Sequence, residues 1–246
     1  MQNGKSTICW KQSGEDFVRA ENTGPEQQQP EKGPIEIRGE EYPLCIAAHH
    51  IIPGKASLPK SKLADYIWRG KKIEGDIGYD VDGSENGVWL PTHQSMSAGM
   101  GKAQTIVIND DENPERTSGP SWAELSERAK ANIRDPKFDA QRFIRWYTQE
   151  AMDIIGAQFH DSHADYNQYV IKILNSHKTR MMKLSRDCSE CTRDKLPPPF
   201  MLGFWLNSIS RALRTRFLEC APHRGWTGVY TSDFAKIYAS TPLKEY

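Results

Sequence analysis

An extended apolar run from Tyr42 to Ile52, closed by Pro53-Gly54, predicts a strand that carries two adjacent histidines, His49 and His50. Side chains alternate across a strand, so the two imidazoles point to opposite faces. Further on, short apolar groups at 77–81 and 87–90 flank Asn86-Gly87, a pair that tolerates positive φ, and predict a small hairpin. Leu63 to Trp68 supports one short helix. A helical period then takes over. Ser121 with Glu124 forms a capping box for a helix over 122–133, and Pro136 opens a second through about 157, with Phe143, Ile144, Tyr147, Ala151, Ile154 and Ile155 on one face. Asp161 or Ser162 caps a third that continues to about 184. A fourth covers about 204–218, with Leu206, Ile209, Leu213 and Phe217 on one face and Arg211, Arg214 and Arg216 largely outside it.

Between these segments the polar stretches divide the chain. Gly24 to Pro34 is punctuated by Pro and Gly and cannot bury a core, so residues 1–40 are expected to be a flexible leader. Residues 92–120 form a long connection rich in Gly, Ser, Asn and Asp. The main body is then 41–185, followed by a basic helical extension over 186–246. The pattern predicts an α+β fold, mainly helical.

A chain of 246 residues can bury one substantial core, and seven Trp argue against wholesale disorder. No apolar run approaches the roughly 18 residues of a membrane span, and residues 1–10 lack the features of a secretory signal. Five cysteines, an odd number, point to a reducing cytosol and to metal binding rather than bridging. Net charge is zero but unevenly spread. Residues 42–73 and 171–224 carry balances of +5 and +7, whereas 74–165 carries −9. The first basic block starts at the paired histidines, a setting that favours a polyanionic substrate; a solvated charged face is the alternative.

Several residues are candidates for chemistry. One of two diverging imidazoles can hold a metal while its neighbour takes a proton near neutral pH. His163 falls in the first turn of the third helix, within reach of a neighbouring strand pair. His93, just past the hairpin, can approach the metal, contact substrate or merely sit in its loop. Asp80, Asp82 and Glu85 suggest a calcium loop, but the twelfth position counted from Asp80 is Pro91, where a bidentate acid is needed. Cys188, Cys191, Cys220 and His223 have the ligand complement of a structural zinc site, with Cys9 or Cys45 as alternative ligands; free thiols or a redox pair are the other readings. Arg211, Arg214 and Arg216 can hold a phosphate backbone or an acidic partner protein.

Ala48-His49-His50 with Ile51-Ile52-Pro53, the Asn86-Gly87-Val88-Trp89-Leu90-Pro91 turn and the helix opening at His163 with Tyr166-Asn167, taken in that order, resemble the ββα-metal or HNH-type nucleases. Within that superfamily the chain is most similar to the AHH group. The resemblance implies an embedded ββα-metal element in which His49 and His163 hold the metal, His160 is a further candidate ligand, His50 is the general base and Asn86 ties the loop to the strand. It implies a divalent ion; nitrogen ligands accept Zn²⁺, Ni²⁺ or Mn²⁺, and Mg²⁺ would lean on water and phosphate. It also implies a nucleic-acid substrate, DNA favoured over RNA. In its usual setting such a protein is a toxin made in a bacterial cytoplasm, delivered by a secretion system into a competitor's cytoplasm and restrained in the producer by an immunity protein. Two other readings stay open: a non-catalytic nucleic-acid-binding or zinc-stabilised interaction protein, and a metal-dependent phosphodiesterase acting on smaller substrates.

Overall fold

The computed structural model describes residues 34–67, 72–93, 106–107, 122–161, 164–184, 195–218 and 228–240. Within them, two small antiparallel sheets are set among α-helices, which makes the fold α+β. Strands β1 (Ile35–Ile37) and β2 (Glu40–Tyr42) form a hairpin. Its turn, Arg38-Gly39, has φ of 53° and 79°, the left-handed pair that a two-residue hairpin favours. Ile35 and Ile37 are buried and Glu36 is exposed, so residues 35–37, within the stretch expected to be a leader, are packed as a strand.

The second sheet positions the paired histidines. β3 (Cys45–His50) lies between β4 (Gly87–Thr92) and β5 (Ile106–Val107), antiparallel to both. β5 falls in the long 92–120 connection and is too short to show a period in the sequence. The expected hairpin between 77–81 and 87–90 is not formed. β4 pairs instead with β3, setting His49 opposite Val88 and His50 opposite Gly87. Segment 76–82 is held as turns by its own aspartates: Gly78 N donates to Asp76 Oδ1 (2.8 Å) and Asp82 N to Asp80 Oδ1 (3.0 Å). Such side-chain acceptors compete with a strand ladder for the same backbone donors.

Among the helices, α1 (Ala64–Ile67) is a single turn and α2 (Trp122–Asn132) follows the expected span. The Ser121 cap lies outside the described residues. α3 (Ala140–Ile155) starts later than Pro136, because Asp139 accepts from Gln141 N (2.9 Å) as its N-cap; Gly156, at φ 70°, ends it. The third expected helix is split at His177 into α4 (Ala164–Ser176) and α5 (Lys178–Leu184). α6 (Leu202–Leu218) and α7 (Asp233–Ser240) complete the described set.

Two cores flank the β3–β4 pair. One joins Ile51, Ile52, Tyr79, Val88 and Leu90 to Tyr166 and Val170 of α4 and to Leu206, Leu213 and Phe217 of α6. The other joins the β1–β2 hairpin to Leu125 of α2, Phe143 and Tyr147 of α3, Phe159 and Ala235. The C-terminal segment thus shares a core with the histidine-bearing strand. Leu196 also bridges to Ile73, outside the named strands.

His93 sits at the bend just past β4, in its loop as one of the three readings had it, and packs away from His49 and His50. It is buried, stacked on Trp122 with ring centroids 3.9 Å apart and 17° between planes, and burial pushes its pKa down to about 3. In the unfolded chain its pKa is near 6.5, so the unfolded state takes the proton first. The stability owed to a neutral His93 is therefore full above about pH 6.5 and is lost as pH falls toward 3, at up to roughly 1.4 kcal/mol per pH unit. Urea unfolding across that range should show His93→Phe with a shallower acid loss than the parent; parallel curves would rule out this origin of the acid sensitivity.

Candidate active site

Strand alternation sends the two histidines to different surroundings. His49 is only 1% exposed, with its ring centroid 4.6 Å from His160, 5.4 Å from Tyr166 and 5.9 Å from Phe217. The His50 side chain is 25% exposed, and its Nε2–H donates to Asp82 Oδ1 at 2.9 Å. A carboxylate accepts only, so this contact selects the tautomer with the proton on Nε2 and the basic lone pair on Nδ1. The residue directly across from His50 is Gly87, which adds no side chain over that ring.

His160 reaches His49 through the edge of the sheet. Its backbone N–H donates to Pro91 O at 2.8 Å, along the outer side of β4. In an extended residue the carbonyl and amide nitrogen share a side, so proline costs no ladder bond at this edge. The same contact seats the His160 ring beside His49.

Buried nitrogen donors of this kind suit a Zn²⁺, Ni²⁺ or Mn²⁺ ion better than they suit Mg²⁺. Among the described residues no group of three or more His, Cys, Asp or Glu converges as a metal-binding set, and His163, the ligand implied by the resemblance, lies outside them. Cys188, Cys191, Cys220 and His223 also lie outside. Cys45 is buried in β3, and burial raises its thiol to about 11, which keeps it protonated rather than a thiolate ligand.

Asn86 is fully buried and uses both ends of its amide. Its Oδ1 accepts from Ile52 N (2.7 Å) and Ser210 Oγ (2.9 Å), and its Nδ2 donates to Ile52 O (3.0 Å) and Val81 O (2.9 Å). Its own carbonyl accepts from Ile51 N at 2.8 Å. A type I′ hairpin turn is not what it makes: Ser84–Asn86 is one turn of 3₁₀ helix, and Gly87 is extended at φ −109°, ψ 154°. The turn chemistry of Asn-Gly thus misled the sequence reading of the connection.

The three arginines are engaged by the protein itself. Arg211 pairs with Glu85 (2.8 and 3.3 Å) and holds that carboxyl below the usual range. Arg214 donates to Gly87 O (3.1 Å) and to Ser84 O, and Arg216 to Tyr169 OH (3.1 Å). Sequence reasoning missed Asp82 as the partner of His50. Along the chain the Asp80-Val81-Asp82 alternation suggests a calcium loop that lacks its twelfth-position acid, and no local signal marks the pairing of Asp82 with His50, which the register of β3 with β4 brings about.

The family model of AHH, a nuclease family of the HNH/ENDO VII superfamily with conserved AHH, matches residues 38–197. No curated protein and no solved structure matches the chain.

Asn86→Asp separates a turn residue from a buried tie. Aspartate suits an exposed turn, but here it would replace the two amide donors with a carboxylate facing the carbonyls of Ile52 and Val81. A loss of about 3 kcal/mol or more is expected from denaturant unfolding, at least as large as for Asn86→Ala. Parent-like stability would contradict the tie.

Proposed function

The chain belongs to the AHH nuclease family of the HNH/ENDO VII superfamily, and on that premise we propose that it is a metal-dependent endonuclease hydrolysing nucleic-acid phosphodiesters, DNA in preference to RNA. The observation that carries this reading is the division of labour at the end of β3. One imidazole is buried beside a second imidazole, and its neighbour is open to solvent and held by a carboxylate.

His50 acts as general base. With Nε2–H on Asp82, Nδ1 takes the proton of the attacking water, and Asp82 stabilises the imidazolium that forms. Asn86 keeps the loop that carries Asp82 against the end of β3. His49 and His160, with His163, would hold the divalent ion, which when bound supplies charge neutralisation at the phosphate and at the leaving oxygen. Two or three protein ligands leave coordination positions for substrate. Strands β3 and β4 with α4 form the ββα-metal element of this reading. The setting proposed is that of a toxin, made in a bacterial cytoplasm, delivered into a competitor by a secretion system and neutralised in the producer by an immunity protein; the support is the likeness to the AHH group. Among the described residues no helix is long and apolar enough to cross a membrane.

Supercoiled plasmid, linear DNA and RNA incubated with Mg²⁺, Mn²⁺, Ni²⁺ or Zn²⁺, or with EDTA, test this. Cleavage should require the ion. His50→Ala should lower the rate at least about 100-fold, and Asp82→Asn about 10- to 100-fold. Cleavage that survives EDTA, or a fully active His50→Ala, would overturn the mechanism; binding without cleavage would move the chain to the non-catalytic class.

A further inference from the structure

We propose that α6, which lies beyond the residues matched by the family model, is the positioning helix of the histidine site, with Ser210 and Arg214 as its positioning residues. The inference rests on the nuclease reading for its catalytic meaning and on independent geometry for its structural content.

One face of α6 follows the site from end to end. Gly203, Ser210, Arg214 and Phe217 are spaced by seven, four and three residues, which places them on the same side of a helix. At the N-terminal end, a Cβ on Gly203 would stand 2.7 Å from Ile77 O and 3.1 Å from Gly78 O, so the helix backbone lies directly on the loop that leads to Asp82. Two turns on, the buried Ser210 hydroxyl donates to Asn86 Oδ1, the atom that also receives Ile52 N. One turn further, the Arg214 guanidinium donates to Ser84 O and Gly87 O and so brackets the 3₁₀ turn that carries Asn86. Arg211 adds an exposed pair with Glu85 in that same turn. At the C-terminal end Phe217 packs against the rings of His49 and Tyr166.

These contacts converge on one lever. Asn86 ties Ile52, two residues after His50, to Val81, the residue before Asp82. Fixing Asn86 and its turn from outside therefore fixes the approach of Asp82 to the His50 ring. Arg214, read from the sequence as a contact to a phosphate backbone or to an acidic partner protein, on this geometry donates to two backbone carbonyls. Its loss should then reduce turnover and not substrate binding.

The test uses the full chain with Ser210→Ala, Arg214→Gln and Arg214→Lys, the last covering a failure of the Gln variant to fold. Steady-state cleavage is measured with an oligonucleotide duplex, and amide hydrogen exchange at Ile51 and Ile52 and the His50 ring signals are measured by NMR without substrate. Expected are a fall in kcat of about 10- to 100-fold with KM within about twofold, in protein that remains folded. Arg214→Lys should recover part of kcat. Exchange at Ile51 and Ile52, both of which donate to Asn86, should quicken, and the His50 Nε2–H signal should broaden. A raised KM with unchanged kcat and a shallower salt dependence would make Arg214 a substrate contact and overturn the proposal. So would lowered thermal stability with kcat per folded molecule, exchange at Ile51 and Ile52 and the His50 signal all as in the parent. If the parent itself cleaves neither DNA nor RNA with any ion, the nuclease reading fails, and the exchange and His50 signals alone then decide whether α6 positions the site.

Discussion

A carboxamide buried in an apolar core has to be satisfied, and the polar architecture here hangs on that requirement at Asn86. Leaving its donors and acceptor unpaired would cost several kcal/mol, so the groups it bonds are drawn to one point. Those groups are the backbone at Ile52, the carbonyl of Val81 and the hydroxyl of Ser210. They come from the end of the histidine strand, the loop that bears Asp82 and a helix more than a hundred residues further along. An apolar residue could fill the same space. It would not specify which backbone atoms meet.

The charge pattern takes on a different meaning once the contacts are known. Basic residues over 171–224 and acidic residues over 74–165 read along the chain as separate blocks. Arg211 on Glu85 joins the two blocks within the molecule, and Arg214 is bound to the same turn. Part of the apparent basic surface is thus used to hold an acidic loop in place. The pair on the surface contributes little stability by itself; the bonds of Arg214 to backbone carbonyls restrict geometry more than they add energy.

What was legible in the sequence follows from the range of the forces. The extended run to Pro53 and the amphipathic stripe of Phe143, Ile144, Tyr147 and Ala151 are local patterns, and both became the elements they suggested. The divergence of His49 and His50 needs only the two-residue period of a strand. The segment 77–81 failed because its aspartates satisfy nearby amides and remove the incentive to pair as a strand. Asp82 was invisible as a partner of His50 because the contact depends on the register of β3 with β4, and His93 because its burial depends on Trp122 closing over it from a separate helix. Long-range contacts leave no periodic trace.

The two cores explain why a pair of strands with little area of its own can hold reactive groups in fixed relation. β3 and β4 are pinned from one side by α4 and α6, with Tyr166 donating to the Ile51 carbonyl, and from the other by α3, where Tyr147 donates to Pro43 O at 2.8 Å. A side chain at the end of β3 can therefore be open to water without being loose, since its backbone is anchored on both faces. That suits the base role proposed for His50: it is exposed enough to meet water, while its ring is set by Asp82 and its strand by packing. His49 meets the opposite condition, buried among aromatic rings, which suits the ligand role proposed for it. Adjacent positions on one strand are a direct way to satisfy both at once, because the pleat separates the environments by a single residue.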